Sequence, residues 1–444
     1  MYKIKQFLKK ILPSGFINFY HLMQSRIACV RFGFPAQKMI IIGVTGTNGK
    51  TTVVNLISSI LQGAGYKTAH ISSVNFRIGD ELWPNLTKMT TISAFHLQSF
   101  LAKALKADCQ YVVVETTSHA IDQNRVWGIP YDILAFTNLT HDHLDYHHSM
   151  TEYRDSKGKL FAKLMKFERK PGVKKVSVIN AEDPTFEYFW QFPADKKYSY
   201  RIGPRAKADH EIIARHTFSD IAGSQFVVET PFGSAEFVLA LPGKFNIENA
   251  LAAICVGLSQ NIDLKYIKLG LERLVQVPGR MEKIEEGQDF GVIVDYAHTP
   301  DALQKIYQTV KPLVPGKIIS VLGATGDRDK TKRPIMGALA SQWTDIVIVT
   351  DEDPYHERPK DIIDQVAAGV PRGKKNQKMV LGQDYYKILN RQKAIKKAIQ
   401  LAEKDDLVVI TGKGAEMCMA VGDKKIPWDE RQIVRDELKK HLKK

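Results

Sequence analysis

The stretch Ile41-Ile42-Gly43-Val44-Thr45-Gly46-Thr47-Asn48-Gly49-Lys50-Thr51-Thr52 constrains this chain more than any other. An apolar run ends in a glycine-rich turn, and the apolar, helix-like segment from Val53 to Leu61 follows. That order predicts strand, phosphate loop, helix. Gly46 and Gly49, with Thr47 and Asn48 between them, let backbone N–H groups close round phosphate oxygens. The helix N-terminus adds its partial positive charge. Lys50 is long enough to reach terminal phosphates, and the hydroxyl of Thr51, followed by Thr52, suits an Mg²⁺ ion. The strict pattern asks for glycine six residues before the lysine. Val44 stands there, so the loop is a variant.

A chain of 444 residues is long enough for two or three domains with ample core. Its formal net charge is +15, from 63 Lys+Arg against 48 Asp+Glu. Such an excess suits nucleic acid, anionic substrates such as nucleotides, or a membrane surface. Much of it sits at the two ends and in scattered lysine pairs, which reads as solvated surface, so no nucleic-acid partner is expected. Cys29, Cys109, Cys255 and Cys418 are far apart and form no CxxC pair. They indicate neither a zinc ribbon nor a disulfide framework, and a reducing, cytoplasmic compartment fits. No apolar stretch is long enough to span a bilayer. The basic N-terminus, interrupted by Lys, Pro and Gly, makes a poor signal peptide.

Residues 1–38 read as one or two short amphipathic helices, broken at Pro13-Ser14-Gly15 and closed by Gly33-Phe34-Pro35. Lys3, Lys5, Lys9 and Lys10 stand beside Ile4, Phe7, Leu8, Ile11 and Leu12. Two fates fit: weak contact with an anionic membrane surface, or, more commonly, packing of the apolar side on the next domain. From residue 39, strand-like runs at Met39–Val44, Tyr111–Val114, Ile133–Phe136 and Val176–Ile179 alternate with helical stretches. This predicts an α/β fold with a parallel sheet covered on both faces. Gln225–Val228 and Glu236–Leu239 read as antiparallel strands of the same domain, before a helix from Ile247 to Leu258. A boundary is expected at Gln276-Val277-Pro278-Gly279-Arg280. The expected domains are a helical segment 1–38, a central ATP-binding domain 39–277 and a C-terminal Rossmann-like domain 278–444. The second set of strands is expected at Gly291–Val294, Ile318–Leu322, Ile346–Val349 and Leu407–Ile410.

Several strand ends carry chemistry. Glu115, in Val114-Glu115-Thr116-Thr117-Ser118-His119, is costly at a buried strand end unless paired or metal-bound. It is a candidate Mg²⁺ ligand if its strand neighbours the phosphate loop; the alternative is a cap on the next helix. Asn138-Leu139-Thr140-His141-Asp142-His143-Leu144-Asp145-Tyr146-His147-His148 reads as a Mg²⁺-associated loop. Zinc is conceivable there but lacks cysteines, and a solvated polar loop remains open. Lys157, in Tyr153-Arg154-Asp155-Ser156-Lys157, reads from the residues alone as an ordinary surface lysine. Four further clusters follow predicted strands: Asp295-Tyr296-Ala297-His298, Gly323 to Pro334, Thr350 to Glu357, and Thr411 to Glu416. Their common position predicts one cleft edge facing the first domain.

The motifs GVTGTNGKTT, ETTSHAIDQNRV, TNLTHDHLDYH, YRDSK, GKFNIENALAA, PGRME, DYAHTPDAL, GATGDRDKTKRP and TGKGAE, in this order, resemble those of the Mur ligase family. They run over residues 39–431, most of the chain. The resemblance implies a monomeric ATP-dependent ligase that adds an amino acid to UDP-N-acetylmuramoyl-L-alanyl-D-glutamate through an acyl phosphate, in cell-wall precursor synthesis. Two alternatives are kept. One is a related ligase on another carboxylate, folate-type or lipid-linked muramyl; the other is a non-catalytic nucleotide-binding module. The resemblance also implies roles: Lys50 and Thr51 for ATP phosphates and Mg²⁺, Glu115 and His143 as metal ligands, and Lys157 as a carbamylated lysine ligating a second Mg²⁺. It implies substrate contacts at Thr90, Thr91, Ser118, Gln123 and Arg125. Asn246, Arg280, Asp295 and His298 match nucleotide-side and interdomain positions, and Asp327, Arg328 and Lys332 a cleft motif. Asp351, Asp353, Gly412 and Glu416 match positions for the incoming amino acid. Two departures matter. Only about 38 residues precede the ATP domain, where the family carries a uridine-binding domain, so the UDP end is held differently or absent. The family's diaminopimelate signature is Asp-Asn-Pro-Arg, whereas Asp351-Glu352-Asp353-Pro354-Tyr355-His356 has no arginine. That leaves lysine or another amino acid open, with an acidic pocket for an ammonium group.

Overall fold

A computed structural model describes residues 14–204, 211–372 and 378–443. Helix α1 (Ser14–Phe32) starts after Pro13 and stops before Gly33 and Phe34, whose backbone is left-handed. The lysine-rich residues 1–13, with the membrane contact expected of them, lie outside the described residues. On α1, Ser25, Ala28 and Cys29 are buried. The Ser25 hydroxyl donates to the Asn124 carbonyl at 2.8 Å. The expected packing on the next domain therefore holds for one face of this helix.

From Ile40 the chain alternates strand and helix: β1 (Ile40–Thr45), α2 (Lys50–Gly63), β2 (Thr68–Ile71), β3 (Asn75–Ile78), β4 (Glu81–Pro84), α3 (Ala94–Lys106), β5 (Tyr111–Glu115), α4 (Ser118–Asp122), β6 (Ile133–Phe136), α5 (Leu144–His147), α6 (Met150–Lys163), β7 (Val176–Asn180), α7 (Phe186–Trp190) and β8 (Lys196–Ile202). Then come β9 (Glu211–Ser219), β10 (Ser224–Thr230), β11 (Gly233–Leu239), α8 (Lys244–Ser259) and α9 (Leu264–Arg273). The strands form one eleven-stranded sheet, ordered β11-β10-β9-β8-β7-β6-β1-β5-β2-β3-β4. Its middle, β9 to β2, is parallel throughout. Antiparallel pairs close both edges. Apolar clusters cover both faces, as the near-continuous apolar strands require.

β1 lies between β5 and β6, so successive crossovers leave it in opposite directions. That makes its C-terminal end a topological switch point, where open α/β sheets bind ligands. The phosphate loop sits there. Its helix is longer than its apolar residues indicate: α2 begins at Lys50, putting Lys50 and Thr51 in the first turn. The N–H groups of that turn have no partner within the helix and face the loop. α8 likewise begins at Lys244 rather than Ile247, because Gly243, at φ +98°, lets the chain turn directly into it.

The second sheet contains β12 (Glu282–Lys283), β13 (Gly291–Asp295), β14 (Ile318–Leu322), β15 (Ile346–Thr350), β16 (Tyr385–Ile388) and β17 (Leu407–Thr411), ordered β12-β13-β17-β14-β15-β16. All but β12 run parallel. Helices α10 (Pro300–Val310), α11 (Lys332–Trp343), α12 (Pro359–Ala367), α13 (Arg391–Leu401) and α14 (Glu430–Leu442) flank it. The hairpin β18 (Cys418–Val421) and β19 (Lys424–Pro427) stands apart. Residues past the C-terminal ends of β13, β14, β15 and β17 line a cleft that faces the first domain.

Candidate active site

The loop between β1 and α2 is built by close backbone contact. Gly46 has φ +147°, and a Cβ there would meet the Thr137 hydroxyl at 1.9 Å. Gly49 has φ +84°, and its Cβ would meet Asn249 Oδ1 at 2.2 Å. The loop is pinned from β6: the Thr47 N–H donates to the Asn138 carbonyl at 2.8 Å, and the Asn48 N–H to Asn138 Oδ1 at 2.9 Å. Thus Asn138 buttresses the cradle.

Glu115 ends β5, the neighbour of β1, with Val44 opposite it. It accepts from the Thr51 hydroxyl at 3.0 Å, the Ser73 N–H at 2.7 Å and the Ser73 hydroxyl at 3.0 Å. This buried carboxylate is paired with the loop and does not cap a helix; α4 is capped by Thr117. Lys50 Nζ donates to the Thr47 carbonyl at 2.7 Å, and burial lowers its pKa against the pull of Glu115.

Lys157 departs most from the reading of its residues. It is buried, with Nζ 2.8 Å from the Gly46 carbonyl and 4.4 Å from the Tyr153 ring centre. Burial pushes its ammonium well below the usual lysine range, and nearby Lys50 pushes the same way. The surface expectation fails because α6 lies under the phosphate loop. His143, with φ +57°, sits 3.3 Å from Asp142 and has its ring centre 4.8 Å from that of His119. Burial lowers it to about 3, against the pull of the Asp142 carboxylate.

An open cavity is lined by the loop residues 47–52, Glu115, His143, Asn246, Asn249, Arg280, Asp295 and His298. Three of these come from the second domain or the link to it. Arg280 donates to the Thr51 hydroxyl at 3.1 Å and stacks 4.5 Å over Tyr296. Asp295 accepts from the N–H groups of Met281 and Ala297, so it holds the strand end in place. His298 is lowered to about 4 by burial, with Lys332 adding to the effect. Asn246 and Asn249, on one face of α8, are linked at 3.1 Å.

A second cavity adjoins at Thr90, Asp142, His143 and His298 and runs past Thr91, Arg125, Arg328, Glu352, Asp353, Gly412 and Glu416. The Thr90 hydroxyl lies 2.9 Å from that of Ser73, Thr91 donates to the Glu115 carbonyl, and Arg125 donates to the Thr91 carbonyl. Not every expected substrate residue lines it. The Ser118 hydroxyl is engaged with His147 at 2.9 Å, and Gln123 stands beside Tyr146. Asp327 turns to His356 at 2.6 Å. Asp351 also lies off the lining; burial raises its carboxyl to about 6. The expected acidic pocket is altered too. Asp353 is already held by Lys413 at 3.1 Å and Lys88 at 2.5 Å, and Glu416 by Lys413 at 2.5 Å. Glu352 remains: one oxygen accepts from Thr325 at 2.8 Å, and the other is buried without a partner.

The loop at 138–148 is an interdomain contact. His141 meets Asp329 at 3.0 Å, Asp145 lies 3.9 Å from Arg328, and Asp142 lies 3.8 Å from Lys332. Among the described residues, no three His, Cys, Asp or Glu side chains converge as a metal cluster. The adjoining Thr51 and Glu115 oxygens do suit a hard cation that takes its other ligands from phosphate and water. The sequence reading missed Lys88 and Asp301, which join the domains through Asp353 and through Asn48 at 2.8 Å. It also gave no role to Asn249, although the spacing of Asn246 and Asn249 within GKFNIENALAA places both on one helical face.

Comparison with known proteins agrees with this arrangement. The Mur ligase middle domain matches residues 44–257, and the Mur ligase glutamate ligase domain matches residues 279–414. A UDP-N-acetylmuramyl-tripeptide synthetase of Roseiflexus sp. (strain RS-1) is 39% identical over 417 residues, 93% of this chain and 81% of that one. A UDP-N-acetylmuramoyl-L-alanyl-D-glutamate--2,6-diaminopimelate ligase of Bacillus cereus is 37% identical over 92% of this chain and 79% of its own. A solved structure of a ligase of that second name is 31% identical, covers 91% of this chain and 79% of its own, and gives a TM-score of 0.60. A folylpolyglutamate synthase of Mycobacterium tuberculosis with ADP shares the fold at a TM-score of 0.68 and 18% identity, covering 99% and 97%.

Proposed function

The chain belongs to the Mur ligase family, and from that premise we propose that it is the ATP-dependent amide ligase that adds an amino acid to UDP-N-acetylmuramoyl-L-alanyl-D-glutamate in peptidoglycan precursor synthesis. The observation that carries this reading is the meeting of both domains on the phosphate loop, through Arg280 on Thr51 and Asp301 on Asn48. Such closure assembles a site for phosphoryl transfer away from bulk water.

We assign ATP to the first cavity, its phosphates on residues 46–52 and its terminal phosphate toward Lys50. Asn246, Arg280 and His298 bound it from the other side. Thr51, Glu115, His143 and Lys157 would hold Mg²⁺, which when bound offsets the charge of crowded phosphates. Burial favours the neutral amine of Lys157, and in that form it is suited to take up CO₂ with loss of one proton, becoming a carbamate and an oxygen ligand. The peptide substrate enters past Thr90, Thr91 and Arg125. Its carboxylate receives the γ-phosphoryl group, giving an acyl phosphate and ADP. The amine of the amino acid, held near Arg328, Gly412 and Glu416, then attacks the carbonyl carbon; inorganic phosphate leaves and a proton is released. Asp353, Ser118, Gln123, Asp327 and Asp351 act by positioning neighbours.

One chain supplies every residue named, so the reading needs no second copy. We place the reaction in the cytoplasm: the four cysteines are free, as a reducing compartment requires, and among the described residues no helix is long and apolar enough to cross a membrane. The test is phosphate release with ATP, Mg²⁺, UDP-N-acetylmuramoyl-L-alanyl-D-glutamate and single amino acids. Release is expected only when all are present. A folded protein that binds ATP yet releases no phosphate with any amino acid would overturn the reading.

A further inference from the structure

α1 carries apolar residues on two opposite sides. Yet only the face carrying Ser25, Ala28 and Cys29 is covered. On the opposite side Phe16, Phe19, Tyr20, Met23, Ile27 and Val30 are exposed, Val30 by 71%. At roughly 100° per residue these six fall within an arc of about 100°. Arg26 and Arg31, both exposed, border that arc on its two sides. Neither they nor exposed Lys38 has an ion-pair partner among the described residues. Arg26 instead lies 5.2 Å over the Trp127 ring.

Charge selects among possible occupants of this stripe. The sequence contains no Asp or Glu before Asp80, while residues 1–38 hold Lys3, Lys5, Lys9, Lys10, Arg26, Arg31 and Lys38. A second copy would bring the same cations against these, so self-association through this face is opposed. A nucleic acid would match the charge but leave a row of large apolar side chains in water. A surface that is apolar within and anionic at its boundary matches both features. An apolar face flanked by arginines is what lies in the headgroup region of a bilayer, with the cations reaching outward.

We propose that the exposed stripe of α1, with its flanking arginines, docks this enzyme on an anionic lipid surface. None of the six apolar residues of the stripe lines either cavity.

The experiment is co-sedimentation of the full chain with vesicles of phosphatidylcholine alone and with about one third phosphatidylglycerol. Binding to the anionic vesicles is expected to be tighter by about tenfold or more, and to weaken with salt. The triple variant F19S/I27S/V30S is expected to lose about tenfold or more, while still binding a fluorescent ATP analogue. The double variant R26Q/R31Q, which leaves the apolar stripe intact, is expected to lose about as much, on anionic vesicles only. Equal binding to both vesicle types, or a triple variant that binds as well as the parent, overturns the proposal. So does a dimer in sedimentation velocity that the triple variant dissolves, since the occupant would then be a second copy.

Discussion

Lys157 decides much at the scale of single residues. An ammonium enclosed between the Gly46 carbonyl and the Tyr153 ring, beside a second lysine, is held in its neutral form more readily than any surface lysine. Lys157→Ala is therefore expected to lower phosphate release on the order of 100-fold. A short carboxylic acid such as formate is expected to restore part of it, by standing in for the carbamate. An unaffected variant would remove Lys157 from the site. Nothing in YRDSK marks this burial: the helix reads as polar, and only its seat under the loop encloses the lysine. Glu352 makes the second case. Its second oxygen is buried without a partner, whereas Asp353 and Glu416 are taken by Lys413, which makes Glu352 the carboxylate to test for an incoming ammonium group. Glu352→Gln is expected to raise the KM for the amino acid by about tenfold or more, with kcat little changed. The comparison is made with lysine and diaminopimelate in turn, and a variant with unaltered KM for both would sink this assignment.

Among elements, the phosphate loop is where sequence and structure agree most closely, for a physical reason. Its strand, turn and helix are contiguous, so local residue types suffice to specify them. The partner strands are not contiguous. That β5 inserts between β1 and β2 is a matter of sheet order, which apolar runs do not encode, and it is this order that brings Glu115 to Thr51. The antiparallel β10–β11 edge was legible from its alternating residues, with Phe226 opposite Phe237. The loop's geometry yields a prediction at the same scale. Gly49→Ala would force a left-handed backbone on a residue with Cβ, costing about 1 kcal/mol, and would drive that Cβ into Asn249. ATP-analogue binding is expected to fall by at least about tenfold while circular dichroism stays unchanged. The variant G49A/N249A is expected to recover part of the loss, because it removes the collision but not the backbone strain.

Across the whole molecule, polar bridges join the domains beside apolar contacts, in which Ile221 and Phe245 pack on the core of the second domain. Lys88 bridges to Asp353 and Glu416, His141 to Asp329, Asn48 to Asp301, and Lys425 to the Thr87 carbonyl. The polar bridges open and close more readily than the apolar contacts, because each polar group exchanges its partner for water. The sequence showed that the charged motifs share one edge of the second sheet. It did not show Lys88, which belongs to no motif and acquires its role only when the domains meet. Lys88 is also the best place to test closure. Its pair with Asp353 is nearly buried, and Asp353 keeps Lys413 when Lys88 is removed, so no bare carboxylate is stranded. The loss is then mainly that of its hydrogen bond to Asp353, about 1.5–3 kcal/mol, with the longer contacts to Glu416 and the Cys418 carbonyl, or a shift of about tenfold or more toward the open form. Small-angle scattering of Lys88→Ala should show a larger radius of gyration than the parent, and a saturating ATP analogue should return it toward the parent value. Lys425→Ala, which removes an exposed rim contact, should change the radius far less. High salt should open the parent in the same direction, though less than it would a fully exposed seam. A Lys88→Ala profile identical to the parent's at every salt concentration would mean that closure rests on the other interdomain contacts, Arg280 and Asp301 among them.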